Sequence, residues 1–317
     1  MSVPAPSPFR QAIVRSMPLV ALLILLAGLG LAAPSFLSFA SLGVLADESS
    51  VILLLATGQT IVILLGGIDL SMAALAALAS VLMALTLPAL GFAGVVGALA
   101  LTTLLGAFQG HVHTRAQLPS VIVTLAGLGI WSGIALAIAH TTIPVTEGYA
   151  AVGWLEGSSL GVPHAFAFAA AALAGLAAVL RWSPWGRRLY AIGLNTRVAL
   201  LSGVRVGQVK VVAFALSGLF SGLAGMVMVA RTYSGSPTAA DSLLLPSIAA
   251  VLIGGTAMAG GVGGLARTLI GTLTVTVLRV GISAAGVDPA FEPMAYGVLV
   301  VLVVALTAHR SGVVRTG

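Results

Sequence analysis

LLGGIDLSMAALAALA, residues 64–79, is the stretch on which the reading of this chain turns. Seven of the eight acidic residues fall in gaps between long apolar runs; the eighth, Asp69, sits inside this one, two residues after the paired glycines Gly66 and Gly67. A carboxylate in an otherwise apolar segment is costly unless the fold solvates or pairs it. Paired glycines beside it interrupt a helix. The stretch therefore marks a membrane-embedded chain and the place where function concentrates.

The composition around it agrees. Of 317 residues, 59% are hydrophobic and 7% charged, with a mean hydropathy of +1.15. A soluble domain carries about 25% charged residues, so lipid is the solvent here. The net charge of +6 does not point to nucleic acid, because the basic residues cluster at the ends of apolar runs rather than in a stripe interleaved with aromatics. There is no cysteine, which excludes disulfides, thiolate chemistry and Cys-ligated zinc. The five histidines are scattered, and His111 and His113, two apart, do not share a helix face. No metal site and no cofactor are expected.

Ten apolar runs approach the ~20 residues that cross a bilayer. They lie at 17–33, 51–65, 70–87, 90–110, 119–139, 164–181, 211–230, 245–262, 267–286 and 292–309. The first follows Arg10 and Arg15 and resembles a signal peptide, but it is too long for a secretory core and reads as an uncleaved helix. The expected fold is an all-α polytopic membrane protein of about ten transmembrane helices. A cytoplasmic segment 1–16, a permease domain 17–309 and a tail 310–317 divide the chain.

Charge fixes the orientation. With the N-terminus inside, Arg10, Arg15, Arg115, Arg181, Arg187, Arg188, Arg197, Arg205, Lys210, Arg267, Arg310 and Arg315 are cytoplasmic, and only Arg231 is outside. Asp47, Glu48, Glu147, Glu156, Asp241, Asp288 and Glu292 all fall outside. That is the positive-inside bias, and it places both termini in the cytoplasm. Arg279 lies within a span, where it snorkels or pairs with an acidic side chain.

Two loops are long. The outer one, 140–163, is polar, turn-rich and acidic. The inner one, 181–210, holds six of the fourteen basic residues and opens with Trp182 and Trp185, as interfacial anchors do. Within it, YAIGLNTRVALLSG (190–203) spaces Leu194, Val198 and Leu201 at helical intervals with Arg197 on another face. Asn195 suits an N-cap and Gly203 a C-terminal stop. A short helix along the cytoplasmic surface follows, either an ordinary amphipathic connector or a docking helix for a soluble partner. A weak duplication is also visible. ILLGGIDLSMAALAAL (63–78) aligns with VLIGGTAMAGGVGGLA (251–266), matching Gly66 and Gly67 to Gly254 and Gly255.

Four stretches together resemble the integral-membrane permease of an ATP-binding cassette (ABC) importer of the ribose-type monosaccharide family. They are GQTIVILLGGIDLS (58–71), LPSVIVTLAGLGIWSGIAL (118–136), WGRRLYAIGLNTRVALLSGV (185–204), and FALSGLFSGLAGMVMVAR with IAAVLIGGTAMAGGVGG (214–231 and 248–264). The chain departs from that family at Leu194, Thr196 and Leu200, which leave the surface helix more apolar, and at Ala257 and Met258. The resemblance implies a bacterial inner-membrane subunit that moves a monosaccharide or similar polyol. It implies a second permease copy (identical or a close paralogue), an ABC ATPase with two nucleotide-binding halves or a dimer, and an extracytoplasmic sugar-binding protein. It also implies that Gly193, Asn195, Arg197, Ser202 and Gly203 form the coupling helix to the ATPase. No phosphate-cradling Gly-x-x-x-x-Gly-Lys-Ser/Thr loop occurs, so no ATPase site of its own is expected.

Asp69 has two readings. It lies by the pathway and bonds solute hydroxyls or a partner helix, or it caps the helix that follows, with Ser71 in the first turn. Gln59 and Gln109, polar within spans, are pathway candidates beside Gly66, Gly67, Gly254 and Gly255. Gly218, Gly222 and Gly225 suit close helix packing. An ion-coupled transporter would carry more ionisable groups in its spans, and an enzyme would need a nucleophile–base pair or a metal cluster. A permease for nucleosides or branched-chain amino acids is the alternative within the same class.

Overall fold

A computed structural model describes residues 8–32, 34–284, 286, 288–298 and 301. The tail 310–317, with Arg310 and Arg315, and most of the tenth apolar run lie outside the described residues. The fold is all-α. Its helices are α1 (Pro8–Ala32), α2 (Phe39–Leu64), α3 (Met72–Leu90), α4 (Phe92–Arg115), α5 (Ser120–Ile138), the single turn α6 (Ala150–Gly153), α7 (His164–Trp182), α8 (Pro184–Leu194), α9 (Thr196–Leu201), α10 (Val206–Thr232), α11 (Leu244–Ile253) and α12 (Leu265–Ala284). Helical backbone resumes at 292–298. Strands are vestigial: β1 (Ile143–Pro144) pairs antiparallel with β4 (Ser234–Gly235), and β2 (Ser158–Ser159) with β3 (Val162–Pro163).

Among the described residues seven helices, α2, α3, α4, α5, α7, α10 and α12, are long and apolar enough to cross a membrane, and the apolar part of α1, Ser16–Leu31, is shorter. The run 245–262 is not one span. Its helix stops at Ile253, and a glycine-rich loop follows to Gly264. The reason is local. Gly255, Gly260, Gly261, Gly263 and Gly264 all adopt positive φ, which a helix cannot use.

The two helix breaks share one device. After α2, Gly66 sits at φ 76° and donates to Ile63 O, while Gly67 N–H reaches back to Val62 O. After α11, Gly255 sits at φ 83° and donates to Leu252 O, while Thr256 N–H reaches Val251 O. Both are Schellman caps, which satisfy carbonyls a helix end leaves open. The geometry pairs Gly66 with Gly255, one residue away from the register that sequence similarity gives.

α10 is the central pillar, packed against α2, α3 and α4. Small residues allow the approach. A Cβ on Gly106 would run into Phe214 O, and one on Gly218 into Thr102 O. One on Gly110 would lie 2.9 Å from Val211 Cα, and one on Gly225 2.5 Å from Ala76 O. Without a hydrophobic drive between helices in lipid, this backbone proximity supplies the dispersion that holds them together.

Several of the charged residues expected outside meet one another. β1–β4 joins the loop after α5 to the end of α10, and Arg231 at that end bonds Asp47 (3.0 Å) and Glu48 (2.5 Å) near the start of α2. Arg279 of α12 pairs with Glu292 at 3.5 Å and approaches Glu48 at 4.0 Å. These five residues, expected outside or within a span, thus form one half-buried network.

Candidate functional site

The inner loop folds into an elbow. Ser183 turns the chain out of α7, its Oγ accepting the Gly186 N–H at 3.1 Å, and Pro184 opens α8 where its missing N–H costs nothing. Asn195 ends α8 and begins α9, its Oδ1 accepting the Val198 N–H at 3.0 Å. Ser202 donates back to Val198 O at 2.9 Å. Gly203, at φ 79°, closes a third Schellman cap with Leu200 and Ala199. Arg197 is exposed, and so are Leu194, Val198, Leu200 and Leu201, the last at 81%. Only Ala199 of α9 is buried. The elbow presents an apolar tip to the surroundings rather than tucking it against the bundle.

Behind that tip lies the contact sequence reasoning missed. A Cβ on Gly193 would strike Leu64 O and the backbone of Gly261. Gly261 N–H in turn donates to Leu64 O at 2.9 Å, and Tyr190 Oη donates to Gly263 O at 3.3 Å. Three backbones therefore meet: the elbow, the end of α2 before Gly66, and the loop after α11. Gly66 itself abuts Ala259 O, so the first break touches the second through 259–261 rather than through Gly254. Gly254 packs against Arg267 on α12 instead. The only sequence signal for this junction was glycine at 193 within an otherwise amphipathic segment.

A few residues deeper, Asp69 is 1% exposed. Its Oδ1 accepts the Ser71 N–H (2.9 Å) and the Ser71 Oγ–H (2.6 Å), and its Oδ2 accepts from Ser217 Oγ of α10 (2.7 Å). The cap reading needs correction. The N-cap of α3 is Ser71, which makes no side-chain cap bond, and Asp69 receives no N–H from within α3. The carboxylate instead ties the break to a partner helix, and no cation pairs it among the described residues. Gln59 Oε1 accepts the Asp69 N–H at 3.3 Å. Ser71 Oγ also lies 2.9 Å from the Gln109 amide. Its one hydrogen goes to Asp69, so the amide is satisfied when its nitrogen faces Ser71. Ser120 Oγ accepts the Ile68 N–H at 3.1 Å, and Thr124 Oγ1 donates to Ile68 O at 3.2 Å, which fastens the break to α5. Gln59, Asp69, Ser71 and Gln109 are thus gathered into one buried knot. Gly67 stands beside it, where an added Cβ would lie 3.0 Å from Ser120 Oγ. Ser217 was not anticipated; a serine among glycines on a packed helix was its signal.

No group of three or more potential metal ligands clusters among the described residues. The arrangement offers no nucleophile and base to a substrate. It offers a surface elbow joined by backbone to two helix breaks, one of them pinned to the central pillar.

A family model described as "Branched-chain amino acid transport system / permease component" matches residues 42–306. The ribose import permease protein of Bacillus subtilis is 35% identical over 93% of this chain and 92% of its own length. That of Escherichia coli K12 is 33% identical over 90% and 91%. The fructose import permease protein of Rhizobium meliloti is 31% identical over 92% and 84%. No solved structure matches the chain. Family match, relatives and helical architecture converge: the chain belongs to this family of transport-system permease components, as a multi-pass protein of the bacterial inner membrane.

Proposed function

We propose that this chain forms the translocation pathway of an ABC importer for a monosaccharide or similar polyol, delivered by an extracytoplasmic binding protein and driven by a separate ATPase. The relatives named for ribose and fructose import support the solute class. The chain hydrolyses no ATP itself: Lys210 is its only lysine, and no glycine-rich phosphate loop leads into it.

The observation that carries the coupling step is the three-backbone junction at Gly193. The ATPase grips the exposed apolar tip of α9, with Arg197, Asn195, Ser202 and Gly203 shaping it. Closure of the ATPase dimer moves the elbow as a rigid body. Because Gly193 bears directly on Leu64 O and Gly261, the motion reaches the ends of α2 and α11 without a flexible side chain to absorb it. The Asp69–Ser217 bond passes it to α10, and a second permease copy completes the pathway. Such discrete repacking is how small shifts at one site become helix movements.

The test is uptake into proteoliposomes holding the chain, an ABC ATPase and a sugar-binding protein. ATP-dependent accumulation of ribose, fructose or xylose supports the reading. Accumulation of leucine but of none of the sugars refutes the solute class. Uphill uptake by the chain alone on an ion gradient refutes the whole scheme.

A further inference from the structure

We propose that the outer end of this chain carries a binding site for a neutral, polyhydroxylated solute of monosaccharide size, built from Asp47, Glu48, Arg231, Arg279 and Ser242 beside the ring of Phe39. The inference rests on the importer reading and adds the place where a released solute is first held.

A cavity of ≈ 780 Å³ opens between the outer half of α2, the β2–β3 hairpin, the end of α10 and the start of the segment leading into α11. Small-molecule sites usually span roughly 300–1,000 Å³ and use a few placed polar groups. Here Asp47, Glu48 and Glu156 bring three carboxylates, Arg231 and Arg279 two guanidinium groups, and Ser242, Thr232 and Ser158 hydroxyls. Arg231 and Arg279 are 25% and 31% exposed, so the charges are partly desolvated yet reachable. Glu156 is held by the phenols of Tyr149 and Tyr233, which fixes it at the wall.

The lining selects by charge. Three carboxylates against two guanidinium groups leave the lining net negative, which opposes an anion. A sugar hydroxyl meets no such opposition, because it both donates and accepts. Laid across the Asp47–Arg231 pair, whose atoms are 3.0 Å apart, vicinal hydroxyls give a hydrogen to the carboxylate and take one from the guanidinium. Each such bond is charge-assisted and stronger in a half-buried site than in water. Phe39, 72% exposed at the rim, offers a flat apolar face to the C–H side of a sugar ring. A zwitterionic amino acid is the competing occupant, since its ammonium and carboxylate match the same pair.

The chain has no cysteine, so a single introduced thiol reports its own surroundings. Ser242→Cys places one in the cavity; Leu160→Cys places a reference at the tip of the β2–β3 turn, where Leu160 is 98% exposed. In right-side-out membrane vesicles, the labelling rate by a membrane-impermeant maleimide is measured with ribose, fructose, xylose, leucine or betaine at about 50 mM, well above a millimolar affinity. At least one sugar should slow Ser242→Cys labelling by about threefold or more, the effect of two-thirds occupancy. The Leu160→Cys rate should not change, and betaine, a zwitterion with no N–H or O–H to donate, should not slow labelling. Asp47→Asn added to Ser242→Cys should remove the protection while the Leu160→Cys reference in the same Asp47→Asn background still reports a folded outer face. Absence of sugar protection overturns the site, and the importer reading then stands or falls on the uptake assay. Protection by leucine alone overturns both the site and the sugar class of the importer.

Discussion

Placing a single methyl group on Gly193 should uncouple the transporter without unfolding it. A Cβ there would overlap Leu64 O and Gly261 N and sit 2.9 Å from Gly261 Cα. Carbon atoms rest about 3.5–4.0 Å apart, so the elbow must retreat by roughly 1 Å. Every obstructing atom is backbone, and no rotamer change relieves it. Overpacking of this kind costs about 1–3 kcal/mol. Retreat also loosens the 2.9 Å bond from Gly261 N–H to Leu64 O, and a backbone bond so loosened is worth about 1 kcal/mol net. The sum, about 3 kcal/mol, equals or exceeds the ~1–3 kcal/mol that typically couples two sites. In proteoliposomes with ATPase and binding protein, Gly193→Ala should keep ATP turnover but lower solute uptake by about tenfold or more. Gly175→Ala in α7, where a Cβ meets nothing within 4 Å, should behave as wild type. If Gly193→Ala inserts normally and its uptake per ATP is unchanged, the junction does not transmit motion and the reasoning is wrong.

Three further outcomes follow from the packing. Gly218→Val should separate α10 from α4, because even a Cβ collides with Thr102 O; thermal unfolding in detergent should show a loss of about 2–4 kcal/mol. Asp69→Asn should assemble, since the amide oxygen still accepts from Ser71 while its NH2 donates to the Ser217 hydroxyl, yet lose about 1 kcal/mol as charge-assisted bonds become neutral ones; a melt indistinguishable from wild type would show that the charge contributes nothing. Burial, with Tyr233 and Glu156 beside it, raises the Tyr149 phenol well above its ordinary range. A raised folded value means that its contribution is complete below about pH 10, the unfolded value, and fades above it. Protease cleavage of the 140–163 loop should therefore stay flat from neutral pH to about pH 10 and rise beyond it, and Tyr149→Phe should flatten that rise.

The fold class and the two long loops could be read from hydropathy and charge, because lipid imposes one rule on every span. The apolar run 245–262 shows where that rule stops. Its composition is that of a span, but clustered glycines set the backbone at positive φ, and composition does not encode which glycine takes that conformation. The α9 helix was legible because Asn195 and Gly203 are local signals acting within one turn. The partners of Asp69 were legible only in part. Ser71 is adjacent, but Ser217 lies 148 residues away, and nothing in a single sequence tells one serine on a packed helix from another. The contact of Gly193 with Leu64 and Gly261 was hidden for the same reason, since close backbone approach leaves no trace except the absence of a side chain.

α10 gives these separate features one mechanical frame. It carries Ser217, bonded to Asp69 near the inner break, and Arg231, bonded to Asp47 and Glu48 at the outer face. The 14 residue steps from one to the other span about 21 Å of helix. Over that length Gly218, Gly222 and Gly225 press its backbone onto α4 and α3, and the segment contains no proline to kink it. A helix so held moves as a rod. Any shift that the elbow imposes on the Asp69 knot must therefore act on the Arg231 ion pairs as well. Those pairs are half-buried and cost little to break one at a time. On the proposed coupling, opening at the outer face needs no separate signal: it is the far end of a movement that begins at the elbow.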